Sequence, residues 1–248
     1  MTARPSYREF VPLPEHDVVL KPPTNAILAV LFSGGLDSSI LLAHLLAEGR
    51  RVVPLYVDCD LFWQADELAA ARRFLRAVER EHLAEMVVLR LPLWDVYDHH
   101  WSVTGEGIPG ASDPDETVYL PGRNPLLMIK AHVWCSLHGV GELALGALRS
   151  NPFADATDDF FAEFAAAMDR AVSGRVHIVR PLATLDKRQV MELGRNMPLE
   201  STFSCLAPQR GMHCGRCNKC AERQTAFHIG GLVDPTRYAT TQRPMASH

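Results

Sequence analysis

Short apolar runs alternating with longer, helix-patterned segments limit this chain to few architectures. Residues 26–32 read Ala-Ile-Leu-Ala-Val-Leu-Phe, the near-continuous apolar pattern of a strand covered on both faces. Residues 36–48 place Ile40, Leu41, Leu42, Leu45 and Leu46 on or near one helical face, and Gly49 stands where such a helix closes. The alternation continues with strands predicted at 52–57, 86–91, 142–147 and 176–179, and helices at 66–82, 125–137, 157–172 and 186–195. Asp155 or Thr157 is placed to cap the helix at 157–172. Strands that alternate with helices predict parallel βαβ units, hence an α/β fold on a doubly wound parallel sheet. Residues 1–25, with Pro12, Pro14, Pro22 and Pro23, read as an arm or an edge strand. The 94–124 stretch, with Gly105, Gly107 and Gly110, is too long for a simple connection and reads as a functional or disordered loop.

A length of 248 residues allows one large domain with a small appendage. The net charge of -4 argues against a broadly basic nucleic-acid-binding face. No apolar run is long enough to span a bilayer, and the first ten residues lack the apolar core of a signal peptide. The expectation is a cytoplasmic protein without a membrane or nucleic-acid partner. A homodimer is left open.

Four of the six cysteines fall in one segment: Cys205, Cys214, Cys217 and Cys220, spaced C-x8-C-x2-C-x2-C. One tight turn can present three thiolates while an upstream loop supplies the fourth, which fills the tetrahedral shell of a structural zinc ion. Thiolate ligation also suits a reducing compartment. Cys59 and Cys135 stand in apolar surroundings and read as packing residues.

Where the first strand meets the first helix, the chain reads Ser33-Gly34-Gly35-Leu36-Asp37-Ser38-Ser39. Ligands of open α/β sheets bind at the carboxyl ends of strands. Glycines let backbone N–H groups approach an anion, and the helix N-terminus adds positive potential. Ser33, Ser38 and Ser39 can add hydroxyl donors. Asp37 suits a magnesium ion, or a cap on its own helix, better than direct contact with a phosphate. The Gly-Lys-Ser/Thr ending of a Walker A loop is missing. Arg123 offers a planar fork to a phosphate or carboxylate, and Lys187, opening a helix after a strand, can reach a phosphate as a point charge. Asn124 before Pro125 suits either an N-cap with proline at the first helical position or a contact to substrate.

Taken together, these stretches resemble a known family. The 33–39 segment resembles the PP-loop of the N-type ATP pyrophosphatases. Tyr119-Leu120-Pro121-Gly122-Arg123-Asn124 is similar to the Val-Pro-Gly-Arg-Asn signature of the 7-cyano-7-deazaguanine synthases. Pro181-Leu182-Ala183-Thr184-Leu185-Asp186-Lys187 resembles their next block, and Ser204-Cys205 with 213–223 resembles their zinc-binding C-terminus. The resemblance implies an adenine nucleotide alpha hydrolase-like fold with a small zinc segment. It divides the chain into an arm (1–25), an ATP pyrophosphatase domain (26–200), a zinc-binding segment (201–230) and a tail (231–248). It further implies an ATP-dependent carbon–nitrogen ligase that turns 7-carboxy-7-deazaguanine and ammonia into 7-cyano-7-deazaguanine through adenylated intermediates, using ATP, Mg2+ and Zn2+. Ser33, Gly34, Gly35, Leu36, Asp37, Ser38 and Ser39 would hold ATP, with Asp37, Arg123 and Lys187 in catalytic roles.

Two substrate-side stretches depart from that pattern. Where the family has Asp-Tyr-Gly-Gln-x-His, this chain has Asp58-Cys59-Asp60-Leu61-Phe62-Trp63-Gln64. Asp58 keeps an acidic position beside the nucleotide; Phe62 and Trp63 can stack on a planar ring or pack in the core. In place of Ser-Gly-Tyr-Pro-Asp-Cys-Arg stands a loop in which Asp155 keeps the acid that would read a deazaguanine edge, Phe153 replaces tyrosine and Thr157 replaces arginine. His99, His100 and Trp101 can line the pocket or belong to a solvated loop. Two other readings follow from these departures. One is a paralogue that adenylates a different carboxylic acid, a modified base or a protein end. The other is a zinc-containing nucleic-acid- or protein-binding module on an inactive scaffold, using Arg216, Lys219 and Arg223.

Overall fold

A computed structural model describes residues 26–148, 151–172 and 174–240; the 1–25 arm and the end of the tail lie outside the described residues. Five parallel strands, β1 (Ile27–Leu31), β2 (Arg51–Asp58), β3 (Val87–Arg90), β4 (Glu142–Ala144) and β5 (His177–Val179), form one sheet in the order β3-β2-β1-β4-β5. Around it lie α1 (Leu36–Ala47), α2 (Gln64–Ala77), the single turns α3 (Trp94–Tyr97) and α4 (Trp101–Thr104), α5 (Arg123–Leu137), α6 (Asp158–Ala171), α7 (Lys187–Leu193) and α8 (Asn218–Ile229).

The two-residue period of β1 decides which helices cover which face. Leu28 and Val30 point into a cluster with Leu41, Leu42 and Leu45 of α1, Val190 and Met191 of α7, and Phe227 of α8. Ala29, between them, points the other way, into a cluster with Met128, Ala131 and Cys135 of α5 and Phe161 of α6. A sheet apolar on both faces and covered by helices on both is the doubly wound arrangement its sequence predicts.

Several boundaries differ from the sequence expectation. The helix expected to reach residue 82 ends at Ala77. Beyond it the charged run turns back, Leu83 bridges to Val52, and the Val52 N–H is claimed by the His82 carbonyl at 2.9 Å. Gly122, in the left-handed region at φ 72°, is the N-cap of α5, so Asn124 does not cap it. Of the two cap candidates for α6, Thr157 is used: its side-chain oxygen accepts from the Phe160 N–H at 3.2 Å. The 94–124 stretch is built of single turns rather than open loop, and the cysteine segment contains α8, which periodicity had not singled out.

Candidate active site

The strand order reverses between β1 and β4, and a crevice opens there at the carboxyl ends of the strands. The segment after β1 fills its floor. Gly34 holds φ 75°, and a Cβ there would lie 3.0 Å from Ala71 Cβ and 3.1 Å from Ala71 Cα, so both conformation and space demand glycine. The hydroxyls knit the turn: Ser33 and Ser38 Oγ are 3.1 Å apart, the Gly35 N–H donates to Ser33 Oγ at 3.3 Å, and the Ser33 N–H donates to Ser38 Oγ at 3.3 Å. Gly35 is the N-cap of α1 and supplies no side-chain cap. First-turn amides left without a cap are what an anion needs. Ser39 is buried, and its Oγ has no hydrogen-bond partner among the described residues. Gly146, just past β4, closes the crevice from the other side. A Cβ there would lie 3.1 Å from Ser38 N and 3.2 Å from the Asp37 carbonyl carbon.

Asp37 does not cap its own helix. Both its carboxylate oxygens accept from Lys187 Nζ at 2.7 Å, across 150 residues of sequence. Lys187 is the first residue of α7, fixed there by a capping box in which Asp186 and Gln189 satisfy each other's backbone N–H. Arg123, the first residue of α5, faces the same space, and its buried Nε has no hydrogen-bond partner among the described residues. The space is a cavity of about 350 Å³ whose walls include Ser33, Gly35, Asp37, Arg123, Gly146 and Lys187. The structure thus brings the turn and both expected cations together.

The cavity holds a carboxyl that sequence reasoning missed. Glu67, in the first turn of α2, lines it. Its Oε1 accepts from the Tyr56 hydroxyl at 3.0 Å and its Oε2 from Trp63 Nε1–H at 3.2 Å. Burial raises its pKa above the usual carboxylate range, against the lowering fields of Arg123 and its two donors. The signal was present: Glu67 leads the buried stripe Ala70, Ala71 and Phe74, where a charged residue is out of place. Trp63 is buried and stacks on Trp101 at 5.7 Å, so the core alternative holds for it, while Phe62 is half exposed. Gln64 organises the 57–64 turn: its side-chain amide Nε2 donates to the Val57 carbonyl at 2.8 Å, and its Oε1 accepts from the Cys59 and Leu61 N–H groups. His100 is tied to Ser102 at 2.9 Å, and His99 is solvated beside Asp98.

Asp58 and Asp155 stand off the cavity wall. Asp58 Oδ1 accepts from the Asp60 N–H at 3.1 Å. Asp155 is buried, and its carboxylate takes the Asn124 side-chain amide at 3.1 Å on one oxygen and the Asn124 N–H at 3.3 Å on the other. It therefore holds the first turn of α5, and with it Arg123.

The four segment cysteines converge, with all Sγ atoms within 4.8 Å of one another. Zn–S bonds of about 2.3 Å in a tetrahedron place sulfurs about 3.8 Å apart; Cys214 and Cys220 are 3.9 Å apart, and Cys205 and Cys217 4.0 Å. Backbone N–H groups of Cys214, Arg216, Cys217 and Leu206 point at the sulfurs at 3.1–3.5 Å, as a thiolate shell requires. Sulfur–sulfur hydrogen bonding lowers the pKa of Cys214 and Cys217 and raises that of Cys205 and Cys220, since four crowded thiols share their protons. The set fits zinc. Cys59 and Cys135 are buried with thiols pushed up to about 11 and about 12 by burial, as packing residues should be.

Arg223 is not a surface cation. It is 1% exposed, and its guanidinium donates to Thr236 Oγ1 at 2.7 Å, Thr202 Oγ1 at 2.8 Å and the Leu199 carbonyl at 2.9 Å. Lys219 pairs with Glu222 at 2.5 Å. Of the basic trio expected to serve a binding module, Arg223 is thus buried and Lys219 paired, while Arg216 is exposed. Among the described residues, no helix is long and apolar enough to cross a membrane.

An uncapped glycine turn at the switch point of a β3-β2-β1-β4-β5 parallel sheet, facing a lysine and an arginine, is an anion-binding site of a doubly wound α/β protein, as the PP-loop resemblance implies. The chain can be placed more narrowly. A profile of the family described as "Queuosine biosynthesis protein QueC" matches residues 27–231, and the chain belongs to that family. A 7-cyano-7-deazaguanine synthase of Solidesulfovibrio magneticus is 32% identical over 232 residues, covering 84% of this chain and 94% of that protein. One from Syntrophobacter fumaroxidans is 34% identical, with 84% and 94% covered. One from Anaeromyxobacter dehalogenans is 33% identical, with 85% and 94% covered.

Proposed function

We propose that this chain is an ATP-dependent carbon–nitrogen ligase that converts 7-carboxy-7-deazaguanine and ammonia into 7-cyano-7-deazaguanine. The supporting observation is that one cavity brings together the uncapped α1 turn, the Asp37–Lys187 pair and Arg123, whose buried Nε has no hydrogen-bond partner among the described residues. ATP adenylates the substrate carboxylate with loss of pyrophosphate; ammonia displaces AMP to give an amide; a second ATP activates the amide oxygen on the way to the nitrile. The chain's part is positioning and charge stabilisation. The α1 amides and the serine hydroxyls take the pyrophosphate oxygens, and Lys187 turns from Asp37 toward them. Asp37 is then free for magnesium. Arg123 serves a phosphate or the substrate carboxylate. Asp155 acts through Asn124, holding Arg123 in place. The apolar walls, Trp63, Leu127, Phe203 and Leu206, suit a flat heterocycle. Zinc on the four cysteines would supply folding free energy and, with its shell complete, no open position for chemistry.

Purified protein incubated with ATP, ammonium and 7-carboxy-7-deazaguanine should release AMP and pyrophosphate and form the nitrile. Release of ADP and phosphate, or no dependence on the deazaguanine acid, refutes the reading.

A further inference from the structure

Ligation needs a nitrogen nucleophile with a free lone pair, whereas ammonia near neutral pH is mostly ammonium. Nucleophilic attack inside the cavity therefore calls for a group that takes a proton. We infer that Glu67 is that group: a catalytic residue that binds ammonium and accepts its proton. This rests on the ligase reading above.

The geometry carries it. Glu67 is 7% exposed and reaches the same cavity as the α1 turn and Arg123. It has no cationic partner within ion-pair distance among the described residues. Each oxygen already accepts one hydrogen bond, from Tyr56 and from Trp63, and a carboxylate can accept about two more. Ammonium brings donors for those positions. The charged and titratable groups that bear on Glu67 are Arg123 from α5, Tyr56 and Asp58 from β2, and Cys59 just after it; Trp63, the N-cap of its own helix, is a neutral donor. Arg123 disfavours a second cation in the cavity but also lowers the Glu67 pKa, so its two effects on the transfer offset each other; burial, the largest influence, raises that pKa and makes the carboxylate a stronger proton acceptor.

Tyr56 completes the relay. Its hydroxyl lies 3.0 Å from Glu67 Oε1 and 3.3 Å from the Gln64 carbonyl. With Glu67 ionised, the hydroxyl donates to it. With Glu67 protonated, Glu67 donates to the tyrosine oxygen and the hydroxyl turns to the Gln64 carbonyl. Both states are fully hydrogen-bonded, so the proton can be held without a large penalty.

The step balances. A proton passes from ammonium to a Glu67 oxygen. The freed lone pair forms the C–N bond at the acyl-adenylate carbonyl, and the C–O bond to AMP breaks with its electrons on the phosphate oxygen. The nitrogen gives its second proton to the departing phosphate, and Glu67 returns its own to solvent through the cavity mouth.

The test is Glu67→Gln. Its amide can donate to the Tyr56 oxygen and accept from Trp63, so the wall stays hydrogen-bonded. Ammonium-dependent AMP release at pH 7 should fall by about 10²-fold or more. Acid-dependent ATP–pyrophosphate exchange should persist. Hydroxylamine, uncharged near neutral pH, should restore turnover as the hydroxamate to within a few-fold of wild type. Equal use of ammonium by the variant overturns the inference, and so does failure of hydroxylamine to rescue while exchange persists. Loss of exchange in the variant also overturns it, since Glu67 would then serve adenylation. Absence of exchange in wild type instead overturns the ligase reading. Tyr56→Phe supplies a second readout. Losing the donor raises the Glu67 pKa, so the rising limb of the pH–rate profile should move to higher pH. An unmoved profile counts against the relay.

Discussion

Replacing Lys187 by methionine keeps the stem of the side chain and removes the charge opposite the α1 turn. In the free protein this strands Asp37, whose two oxygens each lose a 2.7 Å contact, and Asp37 is only 29% exposed. Hydrogen bonds between charged groups contribute about 1.5–3 kcal/mol, and one ammonium serves both oxygens, so the fold should lose about that amount once. For a chain of this size, that lowers Tm by roughly 3–12 °C. Turnover should suffer more. Removing one preorganised donor from developing phosphate charge costs about 10²–10³-fold, read as pyrophosphate release under saturating ATP. Asp37→Asn on the Lys187→Met background separates the two effects. The amide no longer needs a cation, so Tm should recover while turnover stays low. If Lys187→Met keeps turnover within tenfold of wild type while Tm falls, the pair is architectural and Lys187 does not act on phosphate.

Three further changes probe the frame. Gly146→Ala forces a methyl to 3.1 Å from Ser38 N, and overpacking of this kind costs about 1–3 kcal/mol; thermal unfolding with and without ATP should show lost stability and a reduced ATP-induced Tm shift. Arg223→Met leaves the Thr236, Thr202 and Leu199 acceptors without their donor and should cost about 3 kcal/mol in denaturant unfolding. Elemental analysis should find about one zinc per chain, and Cys217→Ser or chelation should lower Tm sharply; a metal-free wild-type protein with an unchanged Tm refutes the zinc assignment.

Much of this site is written in local chemistry. The glycine turn, the strand before it and the helix after it follow from apolar periodicity and from residues that tolerate φ above zero. Cysteine spacing places three ligands by itself. Lys187 at a helix start is legible from Asp186 and Gln189, a capping box three residues wide. What sequence could not supply is pairing over distance. That Asp37 meets Lys187, and that Asp155 meets Asn124 rather than open space, depends on which strands become neighbours. Glu67 was hidden differently: in a helix rich in charge it reads as solvated unless the apolar stripe of Ala70, Ala71 and Phe74 is traced back to it, which Asp66 beside it does not join.

The cysteine segment is bound into the nucleotide site. The Phe203 N–H donates to the Gly34 carbonyl at 2.8 Å, so the segment entering the thiolate cluster pins the middle of the PP-loop. Two residues later Cys205 joins that cluster, and one residue earlier Thr202 is held by Arg223 from α8. The Ser204 N–H donates to His213 Nε2 at 3.2 Å, and burial holds that imidazole neutral, with a pKa of about 3, so it stays an acceptor. Asn218, at the start of α8, ties the far side to the 94–124 stretch through the Asp113 carbonyl at 3.0 Å and Asp115 Oδ1 at 3.1 Å. A metal closing the four thiolates would thus hold the 199–205 segment against the loop that carries Gly34 and Gly35. A glycine turn is the least self-supporting element of the site, because its residues lose the most conformational freedom on folding. Anchoring it to a closed metal shell transfers that ordering cost to metal binding, and leaves the α1 amides positioned before nucleotide arrives.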